Sequence, residues 1–515
     1  MKKLICIFLC VAMVALTGCN PEDKPYTPTG DGLTWEEGYT GPTHAADDTP
    51  SNQSLTLTYY PNLSLNPYTA TDFTNRTLFS LIYQGLFTVD RGYAPAPMLC
   101  KSYRVSQDMK TYTFYLENAR FSDGSAVTAA DVVASLLAAK ESTVYGGRFT
   151  HITQVILSED SGITITLDTP YEDLPLLLDI PIVKQDQVAA SQPLGSGPYV
   201  LDTTSQTAVL RRNTNWWCNY KMVVTAPAIT LTTATSATDI RDQFEFSGLS
   251  LVCADPGSDR YADYRCDYEL WDCENNIFLY VACNMESPVF SDAKIRSALT
   301  RAIDRDTLAE SYYRGFARSA TLPASPLFPY YSQVLAEKYV YDGGIQLTEA
   351  VSDAKLPKDT TVVLLVNSED SLRLRVARDI ADMLTACGLT VEMSEQKTAA
   401  YLKALKTKAY DLYVGQTKLS ANMDLSAFFS GKGALNYGGL SDIGLYTFCT
   451  EALANHGNYY TLHQNVMEDG RLCPILFRSY AVYAIRGLLT GLTPARDSVF
   501  YYSPGKTLED ALIES

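Results

Sequence analysis

Residues 361–393 carry the pattern that most restricts how this chain can fold. `TVVLLV` (361–366) is an unbroken apolar run, as in a strand covered on both faces. Leu372, Val376, Ile380 and Leu384 then fall on one face of a helix, Gly388 supplies its stop, and `LTVEM` (389–393) returns as a strand. This is a βαβ unit, which requires a parallel pair of strands inside an α/β layer. Other strands read at `SLTLTYY` (54–60), closed by Pro61, and at `TYTFYLE` (111–117), an alternating run of the residues strands favour. Thr128 and Asp131 form a capping box ahead of Val132, Val133, Leu136 and Leu137, so a helix starts at 128. A further helix reads at 292–304, where Ile295, Leu299 and Ile303 line up.

The chain has 515 residues, and a single core stops growing near ~250–300, so two or more lobes are expected. The first 53 residues stand apart from that body. Lys2 and Lys3 precede an apolar run, Leu4–Ala15, too short for the ~20 residues of a membrane span and suited to a signal peptide over 1–18. Leu16-Thr17-Gly18-Cys19 resembles a bacterial lipobox, which implies cleavage before Cys19 and lipidation of that residue. Residues 20–53 hold five prolines, four glycines and seven acids, a composition that reads as a flexible linker with a reach of roughly 30 Å.

A net charge of −17 argues against nucleic-acid partners and anionic lipid surfaces. Of twelve cysteines, nine lie in the body. None of Cys253, Cys266, Cys273 and Cys283 makes a C-x-x-C pair, so neither metal nor cofactor is expected. Mostly free thiols are preferred over a disulfide or two. The four histidines, His44, His151, His456 and His463, are scattered, and no hydrolase motif surrounds them, so no catalytic residue is assigned. In `PLGSGPYVL` (193–201), Gly195 and Gly197 bracket Ser196 without a nucleophile elbow or a Walker lysine, and the segment reads as a turn. Trp216 and Trp217 read as packing residues.

Four segments, in order, carry a resemblance. `LNPYTATDFTNRTLFSLIYQGLFTVD` (65–90), `FSDGSAVTAADVVAS` (121–135), `PLGSGPYVL` followed by `RRNTNWW` (211–217), and `FSDAKIRSALTRAIDRDTL` (290–308) are similar to the peptide/nickel-type, family 5, extracellular solute-binding proteins of ABC importers, in lipoprotein form. The resemblance covers about 55–490. It implies an α/β, two-lobed periplasmic-binding-protein-like fold of type II, cluster C-like, with mixed sheets and a hinge. Lobe I would take 54–278 plus 486–515, with an inserted subdomain at about 70–183; lobe II would take 279–485. Strands at 277–284 and 475–485 would cross between them.

The function implied is capture of an oligopeptide or peptide-like solute between the lobes, by a lipid-anchored monomer on the outer face of the cytoplasmic membrane, and its delivery to the transmembrane subunits of an ABC permease. A binder of chelated nickel or haem, and a peptide-sensing receptor, are the alternatives. Family position brings Tyr60, Pro61, Asn62 and Leu63 to the cleft, with Asn436 and Tyr437 in a loop over it, and Gln416 is a further ligand-binding candidate. In `YDLYVGQTKLSANMDLSAFF` (410–429) the family's tryptophan is missing, its first acid falls at Ala421, and Asp424 stands at the second. Three readings stay open: Asp424 replaces the acid that pairs with a peptide ammonium, the ligand is not an ordinary peptide, or Asp424 only caps the helix that follows.

Overall fold

A computed structural model describes residues 54–218, 224–257, 264–357, 360–489 and 491–511. Cys19 and the linker lie outside the described residues. Two bodies of sheet organise the chain. The βαβ unit forms as its pattern requires: Thr361–Asn367 and Thr390–Gln396 pair in parallel, joined by the helix Ser371–Ala386. That helix buries Leu372, Val376, Ile380 and Leu384. The same sheet continues through Leu412–Lys418, Tyr268–Cys283, Leu472–Ile485 and Leu251–Ala254, with Ala317–Ser319 added on Leu472–Ile485. It is parallel at the βαβ end and antiparallel elsewhere.

The N-terminal part builds two separate four-stranded sheets. Leu55–Thr58 runs parallel to Ala228–Thr232, which pairs with Val209–Arg212 and then Tyr199–Asp202. Cys100–Val105, Thr111–Leu116, Ile163–Leu167 and Ile152–Leu157 form an antiparallel sheet. The helix Ala129–Lys140 starts on the expected capping box, with Asp131 Oδ2 accepting from Thr128 N at 2.8 Å. Replacing Thr128 by alanine is expected to cost about 1 kcal/mol, read as a fall in melting temperature.

Tyr268–Cys283 and Leu472–Ile485 connect these bodies. Trp271, Cys273, Val482 and Ala484 belong to the N-terminal core, whereas Leu279, Val281, Cys473 and Ile475 belong to a core beneath the βαβ unit. The pairing register shifts between Glu274 and Phe278, where one core gives way to the other. The buried polar residues at that point are matched from outside the strand. Arg91 grips Asp272 through both carboxylate oxygens, at 2.7 and 2.8 Å, and the Tyr93 hydroxyl donates to Glu274 at 2.5 Å. The short hairpin Phe87–Val89/Pro95–Pro97 is thereby clamped to the long strand.

The nine body cysteines are all free thiols, and burial pushes Cys253, Cys273 and Cys449 well above the usual thiol range. Trp217 donates its ring N–H to Gln84, and Trp216 packs edge-on against Tyr502. No helix of the described residues is long and apolar enough to cross a membrane.

Candidate functional site

A cavity of about 120 Å³ opens where the N-terminal sheets meet the C-terminal segment. The helices Phe73–Arg76 and Phe79–Ile82 bring Arg76, Phe79 and Tyr83 to it. The turn Gly146–Phe149 adds Arg148, with Tyr145 just before it. Asp179 comes from the segment that follows the antiparallel sheet, and Arg496, Asp497 and Tyr502 from beyond the last long strand. By the measure in which one water needs roughly 10–15 Å³, there is room for several waters or a small organic solute.

Charge is concentrated here. Arg148 Nη1 donates to Asp179, and Arg496 Nη2 lies 3.5 Å from the other oxygen of the same carboxylate. Burial pushes the Asp179 carboxyl up, but these two guanidinium groups outweigh it and hold the group below its ordinary range. Asp497 behaves alike: burial is overcome by Lys418 and then by Arg76. Lys418 ends the strand Leu412–Lys418 and donates to Asp497, so the cavity wall is tied to the large sheet. Arg76 has no hydrogen-bond or ion-pair partner for its side chain among the described residues. Arg496 is 5% exposed, and its Nε and Nη1 are buried without partners.

A second polar cluster spans the same boundary. His151, just before the strand Ile152–Leu157, meets Asp424, just before the short helix Ser426–Phe429. The ring Nε2 is 3.5 Å from Asp424 Oδ2 and 3.1 Å from Ser426 Oγ, while Nδ1 is 2.9 Å from Asp168. Burial opposes a charge on this ring, but Asp424 and then Asp168 prevail and raise its pKa from 6.5 to about 9. The Asp424 carboxyl, pushed up by burial, is brought below its ordinary value by His151 and Ser426. Nearby, His456 Nε2 is 2.9 Å from Asp173 and its Nδ1 is 2.7 Å from the Tyr330 hydroxyl. Burial disfavours its charge as well, and Asp173 and Glu172 reverse that, raising its pKa. Glu172 N donates to Leu453 O at 3.1 Å. Two histidine–carboxylate contacts and a backbone bond therefore pin the antiparallel-sheet region against the large-sheet side.

The residues singled out from sequence occupy other positions. Tyr60 exchanges two backbone hydrogen bonds with the Asn75 side chain, and Pro61, Asn62 and Leu63 are exposed. Gln416 accepts from Arg478 at 3.1 Å. Asn436 accepts from Ser441 N at 2.9 Å, and Tyr437 packs edge-on against Tyr413. Asp424 Oδ1 accepts from Ser426 N at 2.9 Å, while the helix itself begins after Leu425 without a side-chain cap. None of the eight lines the 120 Å³ cavity. Its own charged residues were missed. The one hint in the sequence is the adjacent Arg496-Asp497 after a proline; the rest become neighbours only on folding.

Residues 94–435 match the family of bacterial extracellular solute-binding proteins, family 5, middle region. The chain belongs to that family. Among curated relatives, the glutathione-binding protein GsiB of Escherichia coli K12 is 25% identical over 358 residues, covering 64% of this chain and 67% of its own. Among solved structures, the ABC transporter substrate-binding protein CtaP of Listeria monocytogenes superposes with a TM-score of 0.70 at 18% identity, covering 87% of this chain and 98% of that one. The protein AppA of Clostridium difficile gives 0.71 at 16% identity, with coverage of 87% and 98%. The two-lobed, mixed-sheet α/β fold expected from the resemblance is the fold these neighbours share. The family is one of solute-binding proteins and not a known class of enzyme.

Proposed function

We propose that this chain is a lipid-anchored receptor that takes a peptide or peptide-like solute between its lobes, outside the cytoplasmic membrane, and passes it unaltered to an ABC permease. The observation that carries this reading is the family match over residues 94–435; beside it, the polar cavity in lobe I holds two buried guanidinium nitrogens of Arg496 without partners. Buried polar groups are normally satisfied, so such atoms call for a partner that arrives from outside. Family membership supplies the partner's general nature, an external solute.

The lobes divide at 54–278 with 486–515 against 279–485, and the protein works as a monomer. Tyr60–Leu63, Gln416, Asp424, Asn436 and Tyr437 face the gap when the lobes part. Closure is favoured only by contacts unique to the closed state; His151 with Asp424 and His456 with Asp173 each join residues of the two lobes.

Mass spectrometry of the protein purified from its own cells is expected to release a single small solute class of unaltered covalent structure. Recovery of a chemically converted product from a supplied solute would overturn the receptor reading. Cys19→Ser is expected to move the protein from the membrane fraction to the soluble fraction with its melting temperature unchanged. Retention of that variant in the membrane would refute the anchor.

A further inference from the structure

The cavity holds more positive charge than its own acids can match. Arg76, Arg148 and Arg496 line it, and Lys418 joins it through Asp497; against these four cations stand two carboxylates, Asp179 and Asp497. Both acids are already engaged, Asp179 by Arg148 and Arg496 and Asp497 by Lys418. In a chain of net charge −17 this local excess is not a general property of the surface. Guanidinium groups match carboxylates in a planar, paired geometry, and an unpaired buried guanidinium is costly. Tyr145, Tyr502 and Phe79 supply ring surface beside the charges, which suits a solute with an apolar body behind its anionic end.

The opposite end of an ordinary peptide has no comparable welcome. Asp424, at the position where a peptide's ammonium would be expected to pair, is 10% exposed and faces His151 and Ser426. The void beside it is only about 10 Å³, one water at most. A second cation brought to Asp424 would have to displace His151.

We infer that the solute is recognised by a carboxylate seated among Arg76, Arg148 and Arg496, and that it needs no free amine. This rests on the receptor reading above and names its ligand class. The test is calorimetric titration of the detergent-solubilised protein with three probes: the dipeptide Ala-Phe, N-acetyl-Ala-Phe, and Ala-Phe amide. The acid and its N-acetyl form are expected to bind within about threefold of each other, and the amide about tenfold or more weaker. Arg76→Gln, at a half-buried site, is expected to weaken N-acetyl-Ala-Phe about tenfold without lowering the melting temperature of the unliganded protein. An amide that binds as tightly as the acid, or an N-acetyl form that does not bind while Ala-Phe does, would overturn the inference and leave the receptor reading standing. If no probe binds, the solute co-purified from native cells decides. A carboxylate-bearing compound that is lost from Arg76→Gln supports the inference, and a compound without an anionic group overturns it. Absence of any bound solute together with no probe binding would overturn both readings.

Discussion

His151→Ala is expected to destabilise the folded protein by about 3 kcal/mol, one of the largest effects of any single side-chain truncation at the boundary between the sheets. The reason lies with the partner left behind. Asp424 is 10% exposed and, apart from the ring, is held only by Ser426, through its backbone N–H and its side chain. Removing one member of a buried charge pair leaves the other without compensation. Asp168 loses a partner as well, but it is half exposed and regains water at little cost. Adding Asp424→Asn should therefore restore most of the loss, and a double-mutant cycle should give a coupling of about 2 kcal/mol. Chemical denaturation of the four proteins measures this.

The sign of the pH dependence follows from the two directions. The folded His151 pKa, about 9, is above its ordinary 6.5, so its contribution is complete below 6.5 and is lost as pH rises through 9. Asp424 is held below its ordinary 3.8, so its contribution is present above that value and is lost as the solution is acidified further. The gap in melting temperature between the natural protein and His151→Ala should thus be widest near pH 6 and narrow toward pH 9. A gap that stays constant across that range would show that the ring acts by packing and not by charge.

Local patterns predicted local structure well. The capping box at Thr128, the helical stripe from Leu372 to Leu384 and the parallel pair around it all depend on residues a few positions apart, and all are present. Of the long strand Tyr268–Cys283 only the part from 277 on is legible in the sequence, because Asp272, Glu274, Asn275 and Asn276 break the apolar run. Those polar groups are buried all the same, and Arg91 and Tyr93, about 180 residues earlier in the chain, match Asp272 and Glu274. Strands Ile152–Leu157 and Ile163–Leu167 are not among those expected from the sequence, although the second alternates buried and half-buried positions. The cavity was less accessible still. Its charged residues come from positions 76, 148, 179, 496 and 497, and nothing local marks any of them as cavity-lining. His151 looked like one of four scattered histidines; only the approach of Asp424, more than 270 positions away, gives it a charge and a role.

Gly195→Ala is expected to cost about 3 kcal/mol, with much reduced yield of folded protein. A Cβ at that position would stand 2.1 Å from the Ile82 carbonyl oxygen and 2.6 Å from a ring carbon of Tyr83. Ile82 cannot easily withdraw, because its carbonyl also accepts from Gly197 N at 2.9 Å. Gly195 O in turn accepts from Ser122 N at 3.0 Å, which fixes the turn from its other side. The glycine is therefore demanded by close approach of two backbone segments. Ser196→Ala makes the contrast. The Ser196 hydroxyl is buried and has no hydrogen-bond partner, so its removal should be neutral or mildly stabilising, with ligand binding unchanged. A nucleophile loop would give the opposite order, with the serine indispensable to activity. Thermal unfolding of the two variants, with solute binding measured on Ser196→Ala, separates a turn that holds two segments together from a loop that performs chemistry. A Ser196→Ala protein that folds normally but no longer binds its solute would count against the structural role.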